Sequence, residues 1–190
     1  MGLAWRFFGK TFFRIFIHLA CLWACFEALG AQGVCMELQS SAFRDGQRIP
    51  VQYVMKAAGG ENISIPLTWK DAPAQTRSFA LSIVDPHRVA QNWVHWLVIN
   101  IPANVNSISE GASGRKMPPG SVELKNSFGE TGYGGPQPPK GSGEHPYVIT
   151  LYALNVDKLD VPVSTTLAGF KKALEGRVIG SASLTGKYSQ

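Results

Sequence analysis

The sequence predicts a mostly β protein: an antiparallel β-sandwich with one short C-terminal helix. Three observations carry that prediction. Apolar residues alternate with polar ones over several short runs, and 12 prolines and 20 glycines are spread between those runs. A one-sided apolar stripe at helical spacing is convincing only near the C-terminus. With 190 residues and 45% hydrophobic content, the chain can bury one good core, and its length favours a single domain.

Residues 1–30 read as an export signal. Arg6, Lys10 and Arg14 form a positive start, residues 15–26 are almost purely apolar with His18 the only polar interruption, and Ala28, Leu29 and Gly30 offer small residues at a cleavage site. The expected product is exported, periplasmic or secreted, and begins near Gly30 or Ala31, so that residues 31–190 form the single domain. The alternatives are a retained anchor over residues 7–29, which reaches the ~20 residues a spanning helix needs, and lipidation at Cys25, where Trp23 fits poorly. Cys21 and Cys25 fall inside the leader. Cys35 is left as a small packing residue or a free thiol.

The net charge is +5, but beyond the leader the chain carries 15 basic and 12 acidic residues. No Lys/Arg run and no basic stripe with interleaved aromatics occurs, so nucleic acid is not an expected partner.

Beyond the leader, residues 36–43 predict a first strand. Asp45 and Gly46 mark a turn, residues 49–55 a second strand, and Gly59 and Gly60 another turn. Ile63, Ile65, Leu67 and Trp69 alternate with polar or small residues, and Pro66 places that strand at an edge or bulge. Residues 79–85 follow, with Phe79, Leu81, Ile83 and Asp85 on one face. Residues 93–101 give the strongest strand signal, with Trp93, His95, Leu97 and Ile99 on one face and Pro102 as the stop. Residues 103–137 show little periodicity, a length more common in functional connections than in idle ones. Residues 147–154 form a further strand. The helix is expected over residues 165–175, capped by Ser164 and stopped by Gly176, and a last strand over residues 178–188.

The most informative segment is GYGGPQPPKGSGEHPYVITLY, residues 132–152. Glycines let backbone approach closely and prolines hold a loop in one shape, which suits a rigid pocket rim. His145 and Tyr147, two apart on the following strand, project from one face. Beyond the leader the histidines are His87, His95 and His145, each near a strand end beside Asp85 or the Gly/Pro loop. If their strands are neighbours, Asp85 fixes the tautomer of His95 and leaves the other ring nitrogen for a ligand. Convergent donors in an apolar cleft make an anion site.

The ordered motifs are residues 61–64 through Trp69; Val84, Asp85 and Pro86; Trp93, His95 and Trp96 with Asn100 and Pro102; residues 132–136 with Pro138 and Pro139; His145 with Tyr147; and residues 151–154. On these the chain resembles the phosphatidylethanolamine-binding protein family, in its bacterial Raf-kinase-inhibitor-like branch, over residues 38–188. The resemblance implies a β-sandwich with a small pocket for phosphate-like anions or phospholipid head groups. Its ligand-binding residues would be Asp85, His87, His95, Gly135, Pro136, His145 and Tyr147. Two departures stand out. His87 replaces a usual second aspartate, and Pro146 follows His145 where arginine is common; the first makes the pocket less acidic.

The expected function is therefore non-catalytic binding of a small anionic ligand, with affinity rising as pH falls through about 6.5. An alternative is a regulator of a kinase or protease acting through residues 103–125. A hydrolase using Asp85 and His95 is less favoured, because no Ser or Cys stands in a recognisable nucleophile motif. The absence of H-x-x-x-H and C-x-x-C spacing argues against zinc held by Asp85, His87, His95 and His145, so no metal or cofactor is expected. Membrane contact would come only through an uncleaved leader or a lipid ligand.

Overall fold

The period-2 patterning becomes eight strands in the computed structural model, which describes residues 35–190. They are β1 (Glu37–Gln39), β2 (Leu67–Lys70), β3 (Ser78–Asp85), β4 (Trp93–Pro102), β5 (Ser107–Ile108), β6 (Val122–Glu123), β7 (His145–Leu154) and β8 (Val178–Tyr188), with α1 (Leu167–Leu174) between the last two. A small sheet has the order β1-β2-β5 and a large one β6-β4-β3-β7-β8, and every pairing is antiparallel. The expected leader, its cleavage site and Cys25 lie outside the described residues.

The two sheets share a core. Leu38, Leu67, Trp69 and Ile108 of the small sheet meet Leu81, Ile83, Trp96, Val98, Ile149 and Leu151 of the large one. Each such side chain, fully buried, contributes about 1.5–3 kcal/mol. The opposite face of the large sheet is also covered: Ala80, Val94, Leu97 and Ile99 pack with Leu159, Phe170 and Leu174. The central strands β3 and β4 thus read as near-continuous apolar runs because both of their faces are inside.

Two register shifts in the β3–β4 ladder decide which side chains face the core. Ile83 pairs with Trp96 and Val84 with Val94, which leaves His95 as the extra residue. A bulge reverses the expected parity there. His95 does not share a face with Leu97 and Ile99; those two pack toward the helix, whereas His95 turns to the inner side, against Tyr147. The second shift, between Phe79 and Leu81, falls at Asn100, which has φ 60°. Its side chain donates to the Leu159 carbonyl at 3.1 Å and accepts from the Leu159 amide at 2.7 Å, tying the helix-side loop to β4.

Several other expectations need correction. Residues 49–55 are not a strand: Val51–Tyr53 is a 3-10 turn that starts after Pro50, and the amides of Ile49 and Met55 are spent on the carbonyls of Lys187 and Pro136. The first strand is three residues, because Ser40 Oγ accepts from the Ala42 amide and bends the chain away. The next begins only at Leu67, past Pro66, which has no N–H to offer a ladder. Pro102 is the last residue of β4 instead of lying outside it. Thr166, not Ser164, caps the helix, with its Oγ1 accepting from the Gly169 amide at 3.2 Å. Cys35 is exposed, so it is not a packing residue.

Residues 103–137 carry β5 and β6 and are anchored to the sandwich. Glu123 accepts from Trp96 Nε1 at 2.8 Å, from Ser113 Oγ at 2.5 Å and from the Gly114 amide at 2.8 Å. Residues 35–190 form one compact unit, and among them no helix is long and apolar enough to cross a membrane.

Candidate functional site

The end of β3, the start of β4 and the start of β7 enclose a cleft of about 340 Å³. Asp85, His95, His145 and Tyr147 line it with Trp93 and Phe128, and Val89, Ala90, Gln137, Pro138 and Pro139 complete the rim. Four of the seven residues expected from the sequence thus meet in one place. The turn from β3 to β4 takes left-handed φ values of 51° at Gln91 and 64° at Asn92, which returns the chain sharply enough to set Val89 and Trp93 on the same rim.

Asp85 continues the inward parity of Leu81 and Ile83, as the alternation suggested. Its partner differs from the expected one. Oδ2 accepts from His145 Nδ1 at 2.5 Å, not from His95, and Oδ1 accepts from the His87 amide at 2.8 Å. The β3–β7 ladder ends with Val84 opposite Val148, and the chains continue past one another so that the rings of His87 and His145 stack at 3.8 Å. His87 is half-buried and borders Asp85 and His145 without lining the cleft. Neighbouring Arg88 is exposed, and among the described residues no lysine or arginine lines the cleft.

His95 is bound instead to the Gly/Pro loop. Its Nδ1 lies 2.7 Å from the Gly134 carbonyl, which can only accept, so the proton sits on Nδ1 and Nε2 is left as an acceptor. Burial pushes its pKa down to about 4, against the opposing pull of the Gly134 carbonyl and the Asp85 charge. The ring is neutral at pH 7. Any titration of this histidine therefore lies far below the expected 6.5.

Tyr147 packs edge-on against His95, with ring centroids 4.9 Å apart. Its hydroxyl is buried near the Gln137 backbone yet makes no hydrogen bond of normal geometry. Burial and the adjacent Asp85 charge raise its pKa far above the ordinary phenol value, so it stays a donor. A buried hydroxyl without a partner costs free energy that a bound acceptor would recover.

Gly135 and Pro136 do not line the cleft. Both are buried behind the rim, where the Gly135 amide donates to Asn62 Oδ1 at 2.7 Å and the Pro136 carbonyl accepts from the Met55 amide at 3.1 Å. A Cβ on Gly135 would sit 2.1 Å from the Tyr53 carbonyl oxygen. Glycine is required there for close backbone approach.

Phe128 had no sequence signal. Asn126 places it, accepting from the Phe128 and Glu130 amides at 2.9 and 3.2 Å while donating to the Gly132 carbonyl at 2.9 Å. Among the described residues no group of three His, Cys, Asp or Glu side chains is arranged to hold a metal ion.

The architecture is a two-sheet antiparallel β-sandwich with a strand-end cleft, walled by a proline-rich loop and lined by a carboxylate, two imidazoles and a phenol. Comparison with known proteins specifies it further. The family model described as phosphatidylethanolamine-binding protein matches residues 39–189, and the chain belongs to that family. It is 38% identical to YbhB of Escherichia coli over 161 residues, covering 81% of this chain and all of that protein. It is 37% identical over 153 residues to LppC of Mycobacterium tuberculosis, whose name marks it as a candidate lipoprotein, covering 80% of this chain and 72% of LppC. The crystal structure of E. coli YbcL, described as a member of the mammalian family of this type, superposes with a TM-score of 0.77 at 34% identity, covering 82% of this chain and 98% of YbcL.

Proposed function

We propose that the cleft binds a phosphate-like monoanion, either free or as the head group of a phospholipid. The observation that carries this reading is the buried, unpartnered hydroxyl of Tyr147 beside a neutral His95. Tyr147 donates to a charged ligand oxygen, and His95 Nε2 accepts from a protonated one. A hydrogen phosphate or a phosphomonoester monoanion offers both. The apolar rim of Trp93, Phe128, Pro138 and Pro139 excludes water from the contact.

Because His95 stays neutral down to about pH 4, the ligand supplies the pH dependence. The second ionisation of a phosphomonoester lies near pH ~6, so affinity rises as pH falls through that value. Calorimetry with inorganic phosphate and with phosphoethanolamine at pH 5.5 and 7.5 tests this. Tyr147→Phe should weaken binding about 10- to 150-fold, the worth of a hydrogen bond to a charged group of ~1.5–3 kcal/mol. Equal affinity in wild type and Tyr147→Phe would remove the reading.

We further read residues 1–30 as an export leader, a reading supported by their charge and apolar pattern and by kinship to LppC. N-terminal sequencing of the protein recovered from its native host, after cell fractionation, checks it.

A further inference from the structure

The partner of His145 on its other nitrogen extends the site beyond ligand binding. Ser142, in the loop that enters β7, places Oγ 2.9 Å from His145 Nε2, while His145 Nδ1 donates to Asp85 Oδ2 at 2.5 Å. Serine, imidazole and buried carboxylate thus stand in one hydrogen-bonded line. The sequence conceals it, because Ser142 lies in Gly-Ser-Gly without a familiar nucleophile motif and Asp85 comes from a strand 60 residues from His145.

We propose that Ser142, His145 and Asp85 form a nucleophile–base–carboxylate relay that hydrolyses small carboxylic esters, an activity that goes beyond the binding reading above. The Asp85 carboxylate can only accept, so it holds the His145 proton on Nδ1 and leaves the Nε2 lone pair facing Ser142. Asp85 is itself fixed by the His87 amide at 2.8 Å. His145 is fully buried and stacked against His87, which holds its ring in place, whereas Ser142 is only half-buried and open to a substrate. The Ser142 hydroxyl also lies 2.5 Å from the Pro139 carbonyl. Its hydrogen has two acceptors within reach, and a torsion about the C–O bond transfers it from Pro139 to Nε2 with no heavy atom moving.

The step balances without a cofactor. Oγ attacks the ester carbonyl carbon as its proton passes to Nε2, and the resulting imidazolium is stabilised by Asp85. Collapse breaks the bond to the alkoxy oxygen, which leaves as the alcohol with that proton. Water, deprotonated by Nε2, then cleaves the acyl-serine and releases the carboxylic acid. The Gly143 amide, directly after the nucleophile, has no hydrogen-bond partner among the described residues and is the donor available to the oxyanion. Pro139 and His145 belong to both the relay and the cleft wall, so an apolar acyl group would rest on Pro138, Pro139 and Phe128.

The test treats the full-length chain with a fluorophosphonate probe, maps the adduct by peptide mass spectrometry, and follows hydrolysis of p-nitrophenyl acetate. The expected result is an adduct on Ser142, absent from S142A, with ester turnover reduced ~10²-fold or more in S142A and in D85N. No adduct on Ser142 in the wild type, or turnover undiminished in a folded S142A, overturns the proposal; wild-type mapping alone decides if either variant fails to fold. Phosphate calorimetry on the same wild-type sample reads the binding proposal separately.

Discussion

Replacing Asp85 by alanine and by asparagine should separate the two jobs its carboxylate performs in the fold. The group is 2% exposed and accepts from two donors, the buried His145 ring and the amide of half-buried His87. Asp85→Ala orphans both, and each donor left unsatisfied costs about 1–3 kcal/mol. With a urea m-value of about 2 kcal/mol/M, the unfolding midpoint should fall by ~2 M. Asp85→Asn has a way to relax. Its Oδ1 still accepts from the His87 amide, and its NH₂ donates to His145 once that ring moves its proton to Nε2. That nitrogen then donates to Ser142 Oγ, whose hydroxyl serves the Pro139 carbonyl. Every donor keeps an acceptor, so the cost should be only about 1–2 kcal/mol, a shift of ~0.5–1 M. Urea titrations followed by tryptophan fluorescence at pH 7 measure both. Equal midpoints for the two variants, or a fall below ~0.5 M for Asp85→Ala, would refute the hydrogen-bond assignment.

Two further outcomes follow from the same geometry. Gly135→Ala forces a methyl to within 2.1 Å of the Tyr53 carbonyl; the loop must lift from residues 53–55, costing about 3 kcal/mol, and a thermal melt indistinguishable from wild type would contradict that close approach. For His95, burial lowers the folded-state pKa to about 4 from 6.5, so between those values the unfolded chain holds a proton that the folded chain does not. Stability is fully present above pH 6.5 and declines as pH falls toward 4, by ~3 kcal/mol from this group. His95→Gln should flatten the slope over that window, measured as urea midpoints at pH 4.5, 5.5 and 6.5, and an unchanged slope would show that His95 is not the group responsible.

Strand legibility tracked how the backbone is used. Residues 79–85 and 93–101 were readable as long apolar runs because both faces of those strands are buried, and residues 178–188 because the second half of β8 alternates buried with half-buried positions. Residues 49–55 carry an equally apolar pattern, yet the amides of Ile49 and Met55 bond to β8 and to the Gly/Pro loop, partners too distant in the chain for a local pattern to register, while those of Tyr53 and Val54 close a 3-10 turn. The short strands β5 and β6 have two residues each and so contain no period to detect.

By itself the sequence determined the fold class and the family, and it pointed to the cleft: alternation, turn residues and spaced motifs are local properties, written wherever they act. It also identified Asp85, His95, His145 and Tyr147 as residues that face one hollow. Tertiary structure decided how they are connected. A single bulge in β4 turned His95 away from Leu97 and Ile99 and gave it to the Gly134 carbonyl, which left Asp85 to His145 and, through it, to Ser142. Register across a sheet and the reach of a side-chain hydrogen bond depend on which strands become neighbours, and one chain's residue pattern carries no direct record of that.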